Sequence, residues 1–342
     1  MDWAIILPWA IFGIIIVGMM VLDLGVLNKE AHEPSRREAL TWAVVWVSLA
    51  ALFNIGVYIF EGWETGLEWT TGYVVELSLS VDNIFVFILI FSAFAVPAKY
   101  RHRVLFWGIL GAVIMRAILI AFAGVLLDQL HFVIYIFGAF LVFTGYKFLR
   151  GGHEEAPDLN SNWLVKVARR IYPVWPHYEG QSFTIIKDGV RYLTPLALVL
   201  VLIESTDLVF AVDSIPAIYG ITDNLFVIYT SNIFAILGLR SMYFVLSGYI
   251  AGLVYLKQAL AAILTFVGLK MLLVDVIHIH PLVSLGVIIG ILTVAVFLSL
   301  RKAQEAGGID VIAEAYAEKT KPAEELDFEK ILRDTPIEKP KH

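Results

Sequence analysis

The chain has 342 residues, of which 59% are hydrophobic and 16% charged, and its formal net charge is −6. A soluble domain carries about 25% charged residues, so the composition excludes an ordinary soluble globule, and the acidic balance offers no basic stripe to nucleic acid. Cysteine is absent, which excludes disulfides, thiolate metal sites and iron–sulfur clusters held by the chain's own sulfur.

In chain order, nine stretches reach the roughly 20 apolar residues that a bilayer crossing needs. They are Trp3–Leu27, Leu40–Phe60, Trp69–Phe94, Val104–Leu127, Phe132–Leu149, Leu193–Ile215, Leu225–Gly248, Leu256–Val276 and Leu282–Leu300. The first lacks a basic start and carries Asp2, so it reads as a span that stays rather than a cleaved leader. The expected fold class is an all-α membrane protein of about nine transmembrane helices.

The connections sort by charge. Lys29, Arg36 and Arg37 follow span 1, and Lys99, Arg101 and Arg103 follow span 3. Arg150, Lys166, Arg169, Arg170, Lys187 and Arg191 follow span 5, Lys257 follows span 7, and Arg301 and Lys302 follow span 9. The connections after spans 2, 4, 6 and 8 hold no Lys or Arg. The positive-inside rule then sets the N-terminus outside and the C-terminus in the cytoplasm. Within the insertion at 150–192, an Asp188-Gly189 pair between β-prone arms predicts a short hairpin. The tail, 301–342, is charged and carries Pro322, Pro336 and Pro340, and reads as a solvated, flexible segment.

An internal repeat divides the middle of the chain. Glu76-Leu-Ser-Leu-Ser-Val-Asp82-Asn-Ile84 matches Asp207-Leu-Val-Phe-Ala-Val-Asp213-Ser-Ile215 in one pattern: acidic, Leu, any residue, large apolar, small, Val, Asp, Asn or Ser, Ile. Arg116 of span 4 pairs with Arg240 of span 7, and Phe143-Thr-Gly-Tyr-Lys147 with Phe266-Val-Gly-Leu-Lys270. Spans 3–5 and 6–8 therefore read as copies of one unit, and three spans per copy places them in opposite orientations, as in secondary transporters. The expected organisation is two N-terminal spans in 1–68, a first repeat in 69–149 and the insertion at 150–192. A second, inverted repeat in 193–280, a last span in 281–300 and the tail complete it.

Acidic groups inside the spans set the functional reading. An acid at a helix centre costs about 2.5–3.5 kcal/mol on insertion scales, so Glu76, Asp82, Glu204, Asp207 and Asp213 must face the bundle interior, water, a base or a cation. Glu76 and Asn83 share a helix face, as do Asp207 and Ser214, whereas Asp82 and Asp213 fall about 100–120° away on a regular helix. Pro216 predicts a kink or break near Asp213 that turns it back and frees carbonyl oxygens. Two readings stand side by side: a cation site, or pairing with the intramembrane bases Arg116 and Arg240, which serve as counter-charges or gates. Asn232 stands between joining the site and bridging helices. Lys147 and Lys270 snorkel at span ends. Asp23, Asn54, Asp275, His278 and His280 read as interfacial or loop groups.

Oxygen donors without Cys or a core His favour Mg, Ca or Mn over Zn or Cu. Acids gathered in one place repel, which favours holding protons when no cation is bound, so proton-coupled exchange follows. No prosthetic group, catalytic residue or enzymatic activity is expected. The partners are a metal ion and the lipid bilayer, with the oligomeric state open.

At these residues the chain also resembles a known family. Glu76-Leu-Ser-Leu-Ser-Val-Asp-Asn83, Glu204-Ser-Thr-Asp-Leu-Val-Phe-Ala-Val-Asp-Ser-Ile-Pro216 and Thr230-Ser-Asn-Ile-Phe-Ala-Ile-Leu-Gly-Leu-Arg240 are similar to the signatures of the TerC family. The branch they most resemble is the bacterial Alx type. The resemblance implies a bacterial inner-membrane protein of a family with members implicated in manganese export. It implies that Glu76, Asp82, Glu204, Asp207 and Asp213 occupy the family's acidic positions. A secondary transporter exporting Mn²⁺ is the leading expectation. The rivals are a membrane-protein assembly factor, as associated with plant relatives, and a metal- or pH-responsive membrane protein without transport.

Overall fold

A computed structural model describes residues 3–22, 36–94, 96–130, 132–150, 163–247, 253–277 and 279–305. In order these form α1 (Trp3–Leu22), α2 (Arg36–Phe60), α3 (Trp63–Ala93), α4 (Ala98–Gln129), α5 (Val133–Leu149) and α6 (Trp163–Ile171). Then come β1 (Thr184–Lys187), β2 (Val190–Leu193), α7 (Pro195–Tyr219), α8 (Leu225–Leu246), α9 (Leu256–Leu272) and α10 (Pro281–Glu305). Among the described residues, each apolar stretch overlaps one of the helices α1–α5 and α7–α10. Six of them, α2, α3, α4, α7, α8 and α10, are long and apolar enough to cross a membrane, while α1 and α5 carry shorter apolar segments. Helices are the expected solution, because hydrocarbon offers no partner to backbone N–H and C=O groups.

The helices overrun their apolar stretches at several ends. α3 starts at Trp63, so Glu64 and Glu68 lie on its first turns rather than in a connection, and α4 starts at Ala98. Hydropathy marks where lipid begins, not where a helix does. Local chemistry fixes the true ends. Pro195 and Pro281 open α7 and α10, where a missing N–H costs nothing. The Asn224 side chain caps α8 by accepting from the amides of Phe226 (3.0 Å) and Val227 (3.4 Å).

The hairpin is present: Lys187 pairs with Val190 across Asp188 and Gly189, whose φ angles of 52° and 76° give the turn that Asp-Gly favours. The break beside Asp213 is not. α7 runs unbroken through Pro216, because the proline falls in the last turn and the Gly220 amide donates to its carbonyl at 2.9 Å. The short helix α6 has no counterpart among the expected elements.

α3, α7 and α8, with the inner face of α4, form the centre, and nearly every α8 side chain from Val227 to Tyr243 is buried. The outer helices turn large apolar groups outward, among them Leu52 and Ile59 of α2, Ile118 and Phe122 of α4 and Phe297 of α10. An apolar surface on several helices at once is unsuited to water and suited to lipid. α3 packs chiefly on α8 and α4 on α7, while α5 and α9 form the most extensively packed pair. Their backbones touch through glycine. A side chain at Gly268 would put its Cβ 2.7 Å from the Gly138 carbonyl oxygen, and one at Gly138 would lie 2.9 Å from the Gly268 oxygen.

Candidate ion site

Glu76 on α3, Arg116 on α4, Asp207 on α7 and Asn232 on α8 are all buried, and they meet. The Arg116 Nη1 group donates to Glu76 Oε1, to Ser214 Oγ at 3.1 Å and to Asn232 Oδ1 at 3.4 Å. Its Nη2 donates to Asp207 Oδ1 at 3.1 Å and its Nε to Asp207 Oδ2 at 3.4 Å, a two-pronged grip on that carboxylate. Asn232 Nδ2 donates to Glu76 Oε2 at 2.9 Å, and Asn83 Nδ2 to Asp207 Oδ1 at 3.4 Å.

Taking such groups out of water costs several kcal/mol per ion unless close partners replace the lost hydration. Arg116, with a side chain 1% exposed, regains donors' worth of bonding in five hydrogen bonds. Its fixed fork suits two carboxylates as no lysine would. With both acids ionised, the trio retains one negative charge in excess.

The remaining candidates surround this core. Glu204 lies three residues before Asp207 on α7 and rests against α4 at Gly111, where any side chain would overlap its carboxylate. Its Oε2 is buried, and no donor among the described residues reaches it; the same holds for Asn83 Oδ1. Asp213, six residues beyond Asp207 on an unbroken helix, turns away from Arg116 and accepts from Thr144 Oγ1 of α5 at 3.2 Å. It nevertheless lines one small cavity together with Asn83, Arg116, Ser214, Leu79 and Phe148, with space for about one water. The side chain of Asp82 lies outside the described residues. Arg240 is buried on α8 and lines a second cavity with Trp46, Phe106 and Leu237.

Among the described residues no group of three or more His, Cys, Asp or Glu is close enough to hold a metal. The guanidinium of Arg116 occupies the place between Glu76 and Asp207. Thr144 was not foreseen as a site residue, although it lies inside the repeated Phe-Thr-Gly-Tyr-Lys segment. Of the lesser candidates, Asn54 donates to Thr70 between α2 and α3 at 2.7 Å, and Asp275 accepts from the Tyr135 hydroxyl. His280 accepts from the Leu282 amide at 3.2 Å, at the start of α10. Asp23 and His278 lie outside the described residues.

Fold and site together define an integral multi-pass membrane protein built around a buried arginine–carboxylate network. The sequence pattern of the integral membrane protein TerC family matches residues 61–306, and the chain belongs to that family. It is 48% identical over 307 residues to an uncharacterized membrane protein of Myxococcus xanthus, covering 89% of this chain and 95% of the relative. It is 42% identical over 302 residues to the Escherichia coli K12 protein named "Putative membrane-bound redox modulator Alx", covering 86% and 94%. An uncharacterized membrane protein of Rickettsia bellii is 40% identical over 294 residues, covering 86% and 97%. No solved structure matches the chain.

Proposed function

We propose that this protein is a secondary transporter of the inner membrane that exports a divalent cation, Mn²⁺ in the first place, in exchange for protons. One observation carries the reading. Glu204 Oε2 and Asn83 Oδ1 are buried acceptors that no donor among the described residues reaches, beside an Arg116–Glu76–Asp207 trio that is one positive charge short when both acids are ionised. A cation or a proton supplies what both lack. Arg116 acts as the resident counter-charge: it offsets one of the two negative charges of ionised Glu76 and Asp207 while the ion is away, and a divalent ion competes with it for the same oxygens. All the donors are oxygen or amide groups, which suits Mn²⁺, Mg²⁺ or Ca²⁺.

The accompanying architecture has nine spans, the N-terminus outside and the C-terminus in the cytoplasm, with inverted repeats in 69–149 and 193–280. Its support lies in reciprocal contacts. Laying Phe143–Lys147 on Phe266–Lys270 carries Gly145 to Gly268 and Gly138 to Ala261. A Cβ at Gly145 would lie 2.7 Å from the Ala261 oxygen, and one at Gly268 would lie 2.7 Å from the Gly138 oxygen, the same contact read from either copy. The pairing of α3 with α8 and of α4 with α7 is likewise exchanged by the repeat. Asp82 is then the counterpart of Asp213. The redox role in the name of the Escherichia coli relative has no cysteine to work through here, so a redox effect of this chain would follow from the ion it moves.

The test is purified protein in liposomes loaded with a divalent-ion reporter, offered Mn²⁺, Mg²⁺ and Ca²⁺ in turn under an imposed pH gradient. Flux above that of empty liposomes is expected, driven by the gradient and lost in Glu76→Gln and Asp207→Asn. Wild-type flux equal to that of protein-free liposomes for every ion removes the transport reading, and flux indifferent to the gradient removes proton coupling.

A further inference from the structure

α6 is a nine-residue helix, Trp163–Ile171, with no acidic residue and three bases. Successive residues turn by 100°, and burial divides the helix accordingly. Val165 is fully buried and Ala168 partly so, on the side packed against α7. On the opposite side Val167 is 45% and Ile171 63% exposed, one turn apart. Lys166 and Arg170, also one turn apart and exposed, form a second row beside them. The outward face is thus split lengthwise into an apolar row and a basic row.

That division is poorly suited to water and well suited to a lipid surface. The apolar row is too narrow to dock a protein core, and the basic row alone would need no apolar neighbour. At the headgroup boundary both are satisfied: Val167 and Ile171 enter the acyl margin while Lys166 and Arg170 reach lipid phosphates. The surrounding segment adds to the charge. Arg103, at the start of α4, lies with its guanidinium over the Phe183 ring (5.4 Å to the centroid) and donates to Gln181 at 3.4 Å, so a further base is held against the insertion. We infer that α6 is an interfacial helix that binds the anionic lipid of the membrane leaflet it faces and holds the described part of the insertion, 163–192, against the bilayer. The inference does not depend on the transport reading.

The absence of cysteine makes the test direct. Val167→Cys, Ile171→Cys and, as a control on the exposed hairpin, Ile186→Cys each give a single labelling site in the full-length protein. Each spin-labelled protein is placed in nanodiscs of phosphatidylcholine alone or mixed with phosphatidylglycerol. Collision with oxygen is then compared with collision with a water-soluble nickel chelate. Labels at 167 and 171 are expected to favour oxygen, more strongly with phosphatidylglycerol, while the label at 186 favours nickel in both. Lys166→Glu or Arg170→Glu is expected to weaken the anionic-lipid preference at least about five-fold, the factor for loss of one basic charge at such a surface. The comparison is made within one labelled protein between two bilayers, so a fault in folding does not imitate it. Nickel accessibility at 167 and 171 equal to that at 186 in both lipids overturns the proposal. So does shielding that is insensitive to lipid and disappears on truncation after Glu305, which would make the chain's own tail the occupant.

Discussion

The α3–α4–α7–α8 centre and the α5–α9 pair are held together by opposite means. At the centre, Arg116 ties Glu76 and Asp207 through charged hydrogen bonds, and the helices are spaced by side chains. Between α5 and α9 there is backbone-to-backbone contact at Gly138 and Gly268, and the interface is surrounded by Leu141, Leu260 and Leu264. Charge can be exchanged for another charge, so the central arrangement is open to competition by an ion or a proton. Shape cannot be exchanged in that way. The two regions touch where Thr144 on α5 donates to Asp213 on α7.

The centre is most vulnerable at its charge. Arg116→Leu leaves Glu76 and Asp207 buried without a counter-ion, a loss of about 3–5 kcal/mol, read as a fall in thermal unfolding temperature in detergent. Adding Glu76→Gln to the variant is expected to recover much of the loss, because one stranded charge goes. If the single variant is as stable as wild type, the centre is not held by charge.

Next in size is the shape side. Gly268→Val places atoms on the Gly138 carbonyl and on Val142, and overpacking of this kind costs about 1–3 kcal/mol. Gly145→Val, against Ala261, is expected to cost a similar amount. Neither loss should respond to added divalent ions, whereas that of Arg116→Leu should shrink with them. An ion response in the glycine variants would merge the two regions into one.

The difference between the regions also explains what could be read from sequence. Apolar length located the long helices among the described residues, because the burial of backbone groups in lipid leaves little choice of structure. The intramembrane acids marked the centre, since a charge placed there requires a partner. The partner itself was not legible: which of Arg116 and Arg240 meets Glu76 and Asp207 depends on how four helices rotate against one another, and hydropathy carries no record of that. Pro216 misled because its effect depends on distance from the helix end, which the apolar stretch misplaced by four residues. α6 was missed because nine residues with an apolar and a basic row look like part of a polar connection. The glycine contact of α5 with α9 was visible only as a repeated motif, not as a surface.

A smaller effect probes the edge of the centre. Trp69 Nε1 donates to Thr230 Oγ1 at 2.9 Å between α3 and α8. Trp69→Phe keeps most of the ring packing and removes that bond, so about 1 kcal/mol of stability is expected to go, with ion flux retained. A loss several times larger would mean that α3 and α8 depend on this one bond rather than on their packing.

The smallest change in stability belongs to Asp213→Asn, and it separates the two regions most finely. Asparagine keeps the oxygen that accepts from Thr144 Oγ1, so the contact between α7 and α5 survives and stability should move by less than about 1 kcal/mol. What disappears is a negative charge on the wall of the cavity shared with Asn83, Arg116 and Ser214. If that cavity lies on the ion's route, flux in liposomes falls sharply in a protein that unfolds at nearly the wild-type temperature. If flux is unchanged, the route bypasses the cavity, and the contact between Asp213 and Thr144 only joins the helices. The Arg116 trio would then have to carry the ion alone, with Glu204 as its sole remaining acidic neighbour among the described residues.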